Sequence, residues 1–379
     1  MRTAIVHDWL TGMRGGERVL HDLCGLLPDA DLYTLVHVPG STSERIEART
    51  IHASPLSRIP GAGRHYRKFL PLFPWAIERF HLENYDFVLS ISHAVAKGIP
   101  IAPGTPHLSY LLTPMRYVWD QIDAYLGTGL LRAAATPLVA YLRRWDVRTA
   151  GPDHVTRYVA ISETVRGRIQ ARYGRPSGRV YPPVDVDRVK PDAAPPDPWF
   201  LLVGAFAPYK REDLAIRAFA DLDAELRVVG DGPGRAALEA QAPPNVRFLG
   251  RVSDEELVHC FARCRALVYP QEEDFGIIAV EAQAAGRPVI CFGRGGAAET
   301  VVPISDPGAR APTGVWFDAQ EPAALAAAVE RFLKVEAGFD PLAIRRHAEG
   351  FATPRFLSEM RAEIEALAPG ATAGAGSFD

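Results

Sequence analysis

The sequence predicts an α/β protein made of two doubly wound, parallel-sheet domains. Three observations carry this reading. Short apolar runs rich in β-branched and aromatic residues (3–6, 86–92, 108–112 and 158–161) alternate with helix-periodic stretches, as buried parallel strands alternate with covering helices. A passage with prolines at 182, 183, 191, 195, 196 and 198 then reads as a linker, and the alternation restarts at 200–203. A chain of 379 residues also has room for two cores of ordinary size.

Composition narrows the class further. The apolar fraction of 47% and charged fraction of 23% are ordinary for a globular protein. No apolar run reaches membrane-spanning length and the N-terminus enters a strand directly, so the expectation is a cytoplasmic protein. Cys24, Cys260, Cys264 and Cys291 suit reduced core positions. Cys260 and Cys264 lie one helical turn apart without a His or Cys cluster, so no metal site is expected. The net charge of −3 conceals a basic first half (+7 over 1–190) and an acidic second half (−10 over 191–379). A basic half suits an anionic partner.

In the first domain, strand 3–6 leads through Gly12, Gly15 and Gly16 to a helix from about Glu17. Glycines there let backbone approach a phosphate, although the spacing matches neither a dinucleotide fingerprint nor a P-loop. Residues 58–81 interleave Arg58, Arg64, Arg67, Lys68 and Arg79 with Phe69, Leu70, Leu72, Phe73 and Trp75. That mixture suits a membrane interface, or else a solvated face of a helical excursion; no nucleic-acid motif accompanies it. Strand 86–92 runs into His93 and Lys97. Strand 108–112 runs into Arg116, Tyr117, Trp119 and Asp120, a basic and aromatic wall or a packed loop. Helices over 141–149 and 163–173 complete the domain.

In the second domain, strand 200–203 is followed by the turn GAFAPYKRED with Lys210 and Arg211. Strands at 226–229 and 247–249 come next, and Ser253 with Glu256 forms a capping-box pattern. Strand 266–269 precedes PQEEDFGIIAVEAQAAGRPVICFGRGGAAET. That stretch reads as acidic loop, helix from about Phe275, strand and glycine turn. Helix amides at Phe275, Gly276 and Ile277 would face a phosphate, with Glu273 and Glu281 free to accept bonds from hydroxyls. Strand 313–317, helix 322–332 and a helix opened by Thr353 and Pro354 close the chain.

The EEDFGIIAVEAQAAGRPVI segment resembles the donor-binding signature of the retaining glycosyltransferases of family four, and the resemblance runs from HDWLTGMRGGERVL at 7–20 to about Leu367. It implies the GT-B fold: two Rossmann-like domains with parallel sheets facing a central cleft. The implied domains are an acceptor-binding one over 1–183, a nucleotide-sugar-binding one over 184–350, and a helix over 351–368 crossing back to the first. Within the family the chain is most similar to bacterial mannosyltransferases of polysaccharide assembly. The implied reaction is metal-independent transfer of a hexose, with GDP-mannose as substrate and no cofactor.

Carried over residue by residue, Glu273 and Lys210 are implied as catalytic. Gly15, Gly16, Lys210, Arg211, Val252, Glu273, Asp274, Phe275, Gly276, Ile277 and Glu281 would hold the donor. His93, Lys97, Arg116 and Trp119 would lie on the acceptor side, the acceptor being a polyprenyl-diphosphate-linked saccharide. An anionic membrane surface, the inner face of the plasma membrane, would meet Arg64, Arg67, Lys68, Phe73 and Trp75; nucleic acid is not an expected partner. Three positions depart from the family pattern: an Asn is common where Ile161 stands, relatives usually carry His where Leu112 stands, and many carry Arg where Ala205 stands. A sugar-nucleotide-binding scaffold protein without turnover is the alternative that the Leu112 and Ala205 departures imply.

Overall fold

The computed structural model describes residues 1–120, 122, 129–305 and 311–376. The chain divides into two compact units: residues 1–183 with 354–379, and residues 184–353.

Unit 1 is built on a seven-stranded sheet in the order β3-β2-β1-β4-β5-β6-β7, with every pairing parallel. The strands are β1 Thr3–His7, β2 Asp31–Thr34, β3 Ile51–Ala53, β4 Phe87–Ser92, β5 His107–Leu111, β6 Arg157–Ala160 and β7 Ser177–Arg179. The three central strands are buried end to end, because helices cover both faces. The short strands β2, β3 and β7 escape sequence reading, since β3 and β7 are edge strands with half-exposed side chains and little apolar periodicity. Helices α1 Gly15–Leu26, α2 Thr136–Arg148 and α3 Glu163–Tyr173 follow their strands. α3 is capped by the Ser162 hydroxyl accepting from Val165 N at 3.0 Å and stopped by Gly174 in the left-handed region.

Residues 58–81 form no continuous amphipathic helix. Gly61 enters a left-handed turn, and Pro71 and Pro74 interrupt the helical bonding, leaving three short pieces, Ala62–His65, Tyr66–Leu72 and Phe73–Ile77. Tyr66 and Phe73 turn inward against Trp9, at ring-centroid distances of 4.7 and 5.9 Å.

Unit 2 carries a six-stranded parallel sheet in the order β10-β9-β8-β11-β12-β13. These strands are β8 Phe200–Gly204, β9 Leu226–Gly230, β10 Val246–Gly250, β11 Leu267–Tyr269, β12 Val289–Phe292 and β13 Gly314–Phe317. They are covered by α4 Glu212–Ala218, α5 Asp254–Arg263, α6 Ile277–Ala284, α7 Pro322–Val335 and α8 Pro341–Glu349. Ser253 and Glu256 make the capping box at α5 that their spacing predicts. Phe200 packs edge-on against Phe219 and Phe332 in the core. Burying a side chain of that size contributes about 1.5–3 kcal/mol.

The final helix, α9 Thr353–Leu367, belongs almost wholly to unit 1. Phe356, Met360 and Ile364 are fully buried, and Phe356 meets Tyr110 of β5 edge-on. Glu363 pairs with Arg157 of β6, and Arg355 donates to Tyr181 O at 2.7 Å. In both sheets strand order reverses at one place, β1/β4 and β8/β11, where an open parallel sheet leaves a crevice at its carboxyl edge.

Candidate functional site

At the β8/β11 reversal of unit 2, three side chains converge. Lys210, in the single turn Pro208–Lys210 after β8, pairs its ammonium with one Glu273 oxygen. The Tyr269 hydroxyl at the end of β11 donates to the other oxygen. Burial is the largest single influence on Lys210 and acts to lower its pKa, but the Glu273 charge and hydrogen bond, with Tyr209 and Glu212 nearby, together outweigh it and raise the pKa, so the ammonium stays charged. Burial and then the Glu273 charge push the Tyr269 phenol well above its usual value, which keeps it a donor. Tyr269 was not singled out in the sequence. Its only signal is its place as the last strand residue before Pro270.

The turn holding Lys210 is braced by a buried carboxylate, Glu212, which accepts Phe206 N at 2.8 Å. Burial raises the Glu212 pKa against the opposing pull of backbone N–H groups. Phe206 and Arg211 hold positive φ, 49° and 55°, unusual for residues with side chains and frequent where function fixes a loop. The Arg211 guanidinium is engaged by Asp213 and by Gln320 O, so it is not joined to Glu273. Ala205 presents no charge.

The acidic loop is locked by the glycine turn after β12. Gly296 N donates to Glu273 O at 2.7 Å, and a Cβ on Gly296 would stand 2.2 Å from Phe275 Cα. Only glycine fits so close to another backbone. Gly276, at φ 90°, turns the chain into α6, whose first amides include Ile277. Asp274 and Phe275 are buried, with Phe275 against Phe351. Glu281, one turn into α6 and buried, receives Arg188 Nη2 at 2.6 Å; Arg188 was not foreseen. Val252 follows β10, two strands from β8 along the edge.

At the β1/β4 reversal of unit 1, Asp8 is fully buried just beyond β1. Its carboxylate accepts the backbone N–H groups of His93, Ala94, Val95 and Ala96 at 2.7, 2.9, 2.7 and 2.8 Å. His93 Nδ1 lies 3.1 Å from Asp8 Oδ2, an ion-pair contact without full hydrogen-bond geometry. Burial acts to raise the Asp8 pKa, but the His93 contacts and the amides together hold it well below the usual carboxylate range. Gly15 and Gly16 open α1, and a Cβ on Gly16 would stand 3.2 Å from Leu112 Cδ1 and 3.4 Å from His7 Cε1.

Other sequence expectations in unit 1 need correction. Lys97 is completely buried: Nζ donates to Asp146 O and Thr149 Oγ1 at 2.7 and 3.0 Å and pairs with the Asp146 carboxylate at 3.1 Å. It is a core ion pair and cannot meet an acceptor. Trp119 is half-buried, donating Nε1 to Asp146 Oδ2 at 2.8 Å, and is packed rather than presented as a wall. Arg116 is half-buried at the first position of the short helix Arg116–Trp119. Phe73 is 1% exposed and cannot enter a membrane, whereas Leu72 beside it is 46% exposed. His107 lies at the opposite end of β5 from Leu112, between Ser90 Oγ and His154 O.

Two family models cover most of the chain. Residues 13–188 match Glycosyltransferase Family 4, and residues 184–347 match Glycosyl transferases group 1. The chain belongs to the group 1, family-four-like glycosyltransferases. Among curated relatives, this glycosyltransferase is 37% identical over 127 residues to the D-rhamnosyltransferase WbpZ of Pseudomonas aeruginosa, covering 29% of the chain and 33% of WbpZ. It is 34% identical over 114 residues to a GDP-mannose-dependent phosphatidylinositol monomannoside mannosyltransferase of Corynebacterium glutamicum, covering 26% and 30%. The chain thus spans about a third of the length of these curated relatives. The structure of Anabaena HepE in complex with UDP and glucose matches 97% of the chain and all of HepE, with a TM-score of 0.69 at 16% identity. The fold is GT-B, two parallel-sheet Rossmann-like domains.

Proposed function

We propose that this glycosyltransferase is a retaining hexosyltransferase that moves mannose from GDP-mannose to a polyprenyl-diphosphate-linked saccharide at an anionic membrane surface. Unit 2 is assigned the donor and unit 1 the acceptor. The observation that carries the reading is the junction of Lys210, Glu273 and Tyr269 beside the first amides of α6. A leaving diphosphate develops negative charge, and a fixed ammonium with oriented amides stabilises it without reorganising. Lys210 takes that role, Glu273 orients a sugar hydroxyl, and Glu281 binds the ribose. The mannose donor is favoured by the Corynebacterium relative, a GDP-mannose-dependent mannosyltransferase, while the Pseudomonas relative is a D-rhamnosyltransferase and HepE holds UDP, so both bases belong in the test. The membrane part is supported by exposed Arg64, Arg67 and Lys68 near Leu72 and Trp75, 46% and 43% exposed.

A second reading, a sugar-nucleotide-binding scaffold, is favoured by Leu112, which sets an apolar side chain against Gly16. Calorimetry with GDP and UDP, followed by sugar release and transfer assays, separates the two. The expected result is nucleotide binding with transfer, and Glu273→Gln is expected to lower transfer by about 100-fold or more while leaving nucleotide affinity within about threefold. Binding without any release or transfer establishes the scaffold. Full activity in Glu273→Gln removes that carboxylate from the chemistry.

A further inference from the structure

Arg188, in the single turn Val186–Arg188 of unit 2, is tied to the carboxylate assigned to the ribose. Its Nη2 donates to Glu281 Oε1 at 2.6 Å, and only 5% of the Glu281 side chain is exposed. The turn is held firmly by its own contacts. The Asp185 carboxylate accepts Arg188 N at 3.2 Å, and Val186 and Val189 are buried on either side. Arg345 of α8 joins this turn to α6: Nη1 donates to Val186 O, to Val189 O at 2.7 Å and to Ala284 O at 3.2 Å, while Nη2 pairs with Asp187 at 2.9 Å. Arg188 is thereby fixed against the last turn of α6, which carries Glu281.

The guanidinium is only partly used. Nε and Nη1 are buried and have no hydrogen-bond partner among the described residues. A guanidinium is planar and donor-only, so Nη1 lies beside Nη2 and next to the same carboxylate. A buried ion pair is by itself weak evidence of a stabilising role, because apolar side chains of similar volume often serve as well. Unserved N–H groups make the pair costlier still. A ligand that both donates and accepts removes that cost. Two neighbouring hydroxyls do so, with one O–H to the carboxylate and one oxygen facing Nη1.

On the assignment of Glu281 to the ribose made above, we propose that Arg188 is a second ribose-binding residue, which holds Glu281 in place and reads the 2′,3′-diol of the nucleotide with it. One ribose hydroxyl donates to the Glu281 carboxylate, and the neighbouring hydroxyl oxygen accepts from Arg188 Nη1. The base takes no part in this pair, so it acts on GDP and UDP alike. A deoxyribose leaves a buried polar group unpaired and is rejected. Lysine is no substitute at 188, since its ammonium can hold the carboxylate but lacks the rigid fork that aims a second donor.

The test is calorimetry on the full chain with GDP, UDP and their 2′-deoxy and 3′-deoxy forms. The parent is expected to bind the ribonucleotides about tenfold or more tighter than at least one deoxy form. Arg188→Met is expected to weaken GDP by about tenfold or more and that deoxy form by less than about threefold, so that the ratio falls toward one. A purely structural role lowers all of these affinities together and leaves the ratio standing, which overturns the proposal. Tighter GDP binding in Arg188→Met also overturns it, since the arginine would then be a plug that the ribose displaces. Arg188→Lys keeps a cation beside Glu281 and gives the reading where the methionine variant fails to fold: a reduced ratio supports the proposal, and an unchanged ratio overturns it. A parent that binds neither nucleotide defeats the transferase reading and this proposal with it. A parent that binds a nucleotide without telling ribose from deoxyribose defeats this proposal alone.

Discussion

At the scale of single residues, burial sorts the ionisable groups into those that hold the fold and those that face a substrate. His107 belongs to the first kind: burial pushes its pKa down to about 4, from 6.5. The unfolded chain therefore binds the extra proton between those values, and stability present above pH 6.5 is lost as pH falls toward 4. Lowering the pH from 8 to 5 is expected to cost about 2 kcal/mol from this residue, measured by urea unfolding, and His107→Gln should remove that part of the slope. Lys97 gives a second case. Lys97→Met leaves Asp146 buried without its cation and is expected to cost roughly 3–5 kcal/mol, again by urea unfolding. The sequence brings Lys97 and Trp119 forward as surface contacts because residue type and motif say nothing of which way a side chain turns. Only the packed α2, carrying Asp146, reveals that both converge on one carboxylate. Lys210 and Glu273 came forward through the family resemblance, and the structure brings the two side chains together in loops at the carboxyl ends of β8 and β11.

At the scale of elements, the strands of both cores other than β2, β3 and β7, and the helices α3, α5 and α6, follow from periodicity and caps, with boundaries off by one or two residues. The 58–81 segment does not, because its prolines and Gly61 set the backbone locally while its apolar residues are spent on several different neighbours. Phe73 went to the Trp9 cluster and left Leu72 and Trp75 outside. The glycine turn at 293–296 and the acidic loop at 270–276 behave as one element. Gly296→Ala would drive a methyl group into the Phe275 backbone. It is expected to lower stability by about 1–3 kcal/mol and to weaken nucleotide binding. Calorimetry on that variant checks it, since unchanged affinity would separate the turn from the site.

At the scale of the whole molecule, no helix among the described residues is long and apolar enough to cross a membrane. Contact with a lipid surface then depends on charge and shallow insertion. Each cation near an anionic surface contributes about 1 kcal/mol, screened by salt. Sedimentation with anionic vesicles should therefore fall with added salt, and Arg64→Glu with Arg67→Glu and Lys68→Glu should weaken it while sparing GDP affinity. Trp75→Ala should weaken it too, whereas binding that neither change affects would make this face an ordinary solvated one. The place of α9 in unit 1 has a consequence for synthesis on the ribosome. All seven strands of unit 1 emerge first, yet the helix that covers Tyr110 and pairs with Arg157 comes only after the whole of unit 2. At about 5–20 residues per second, the nascent sheet waits roughly 10–40 s with that face bare, a window in which a chaperone, or another growing chain, competes with the helix α9.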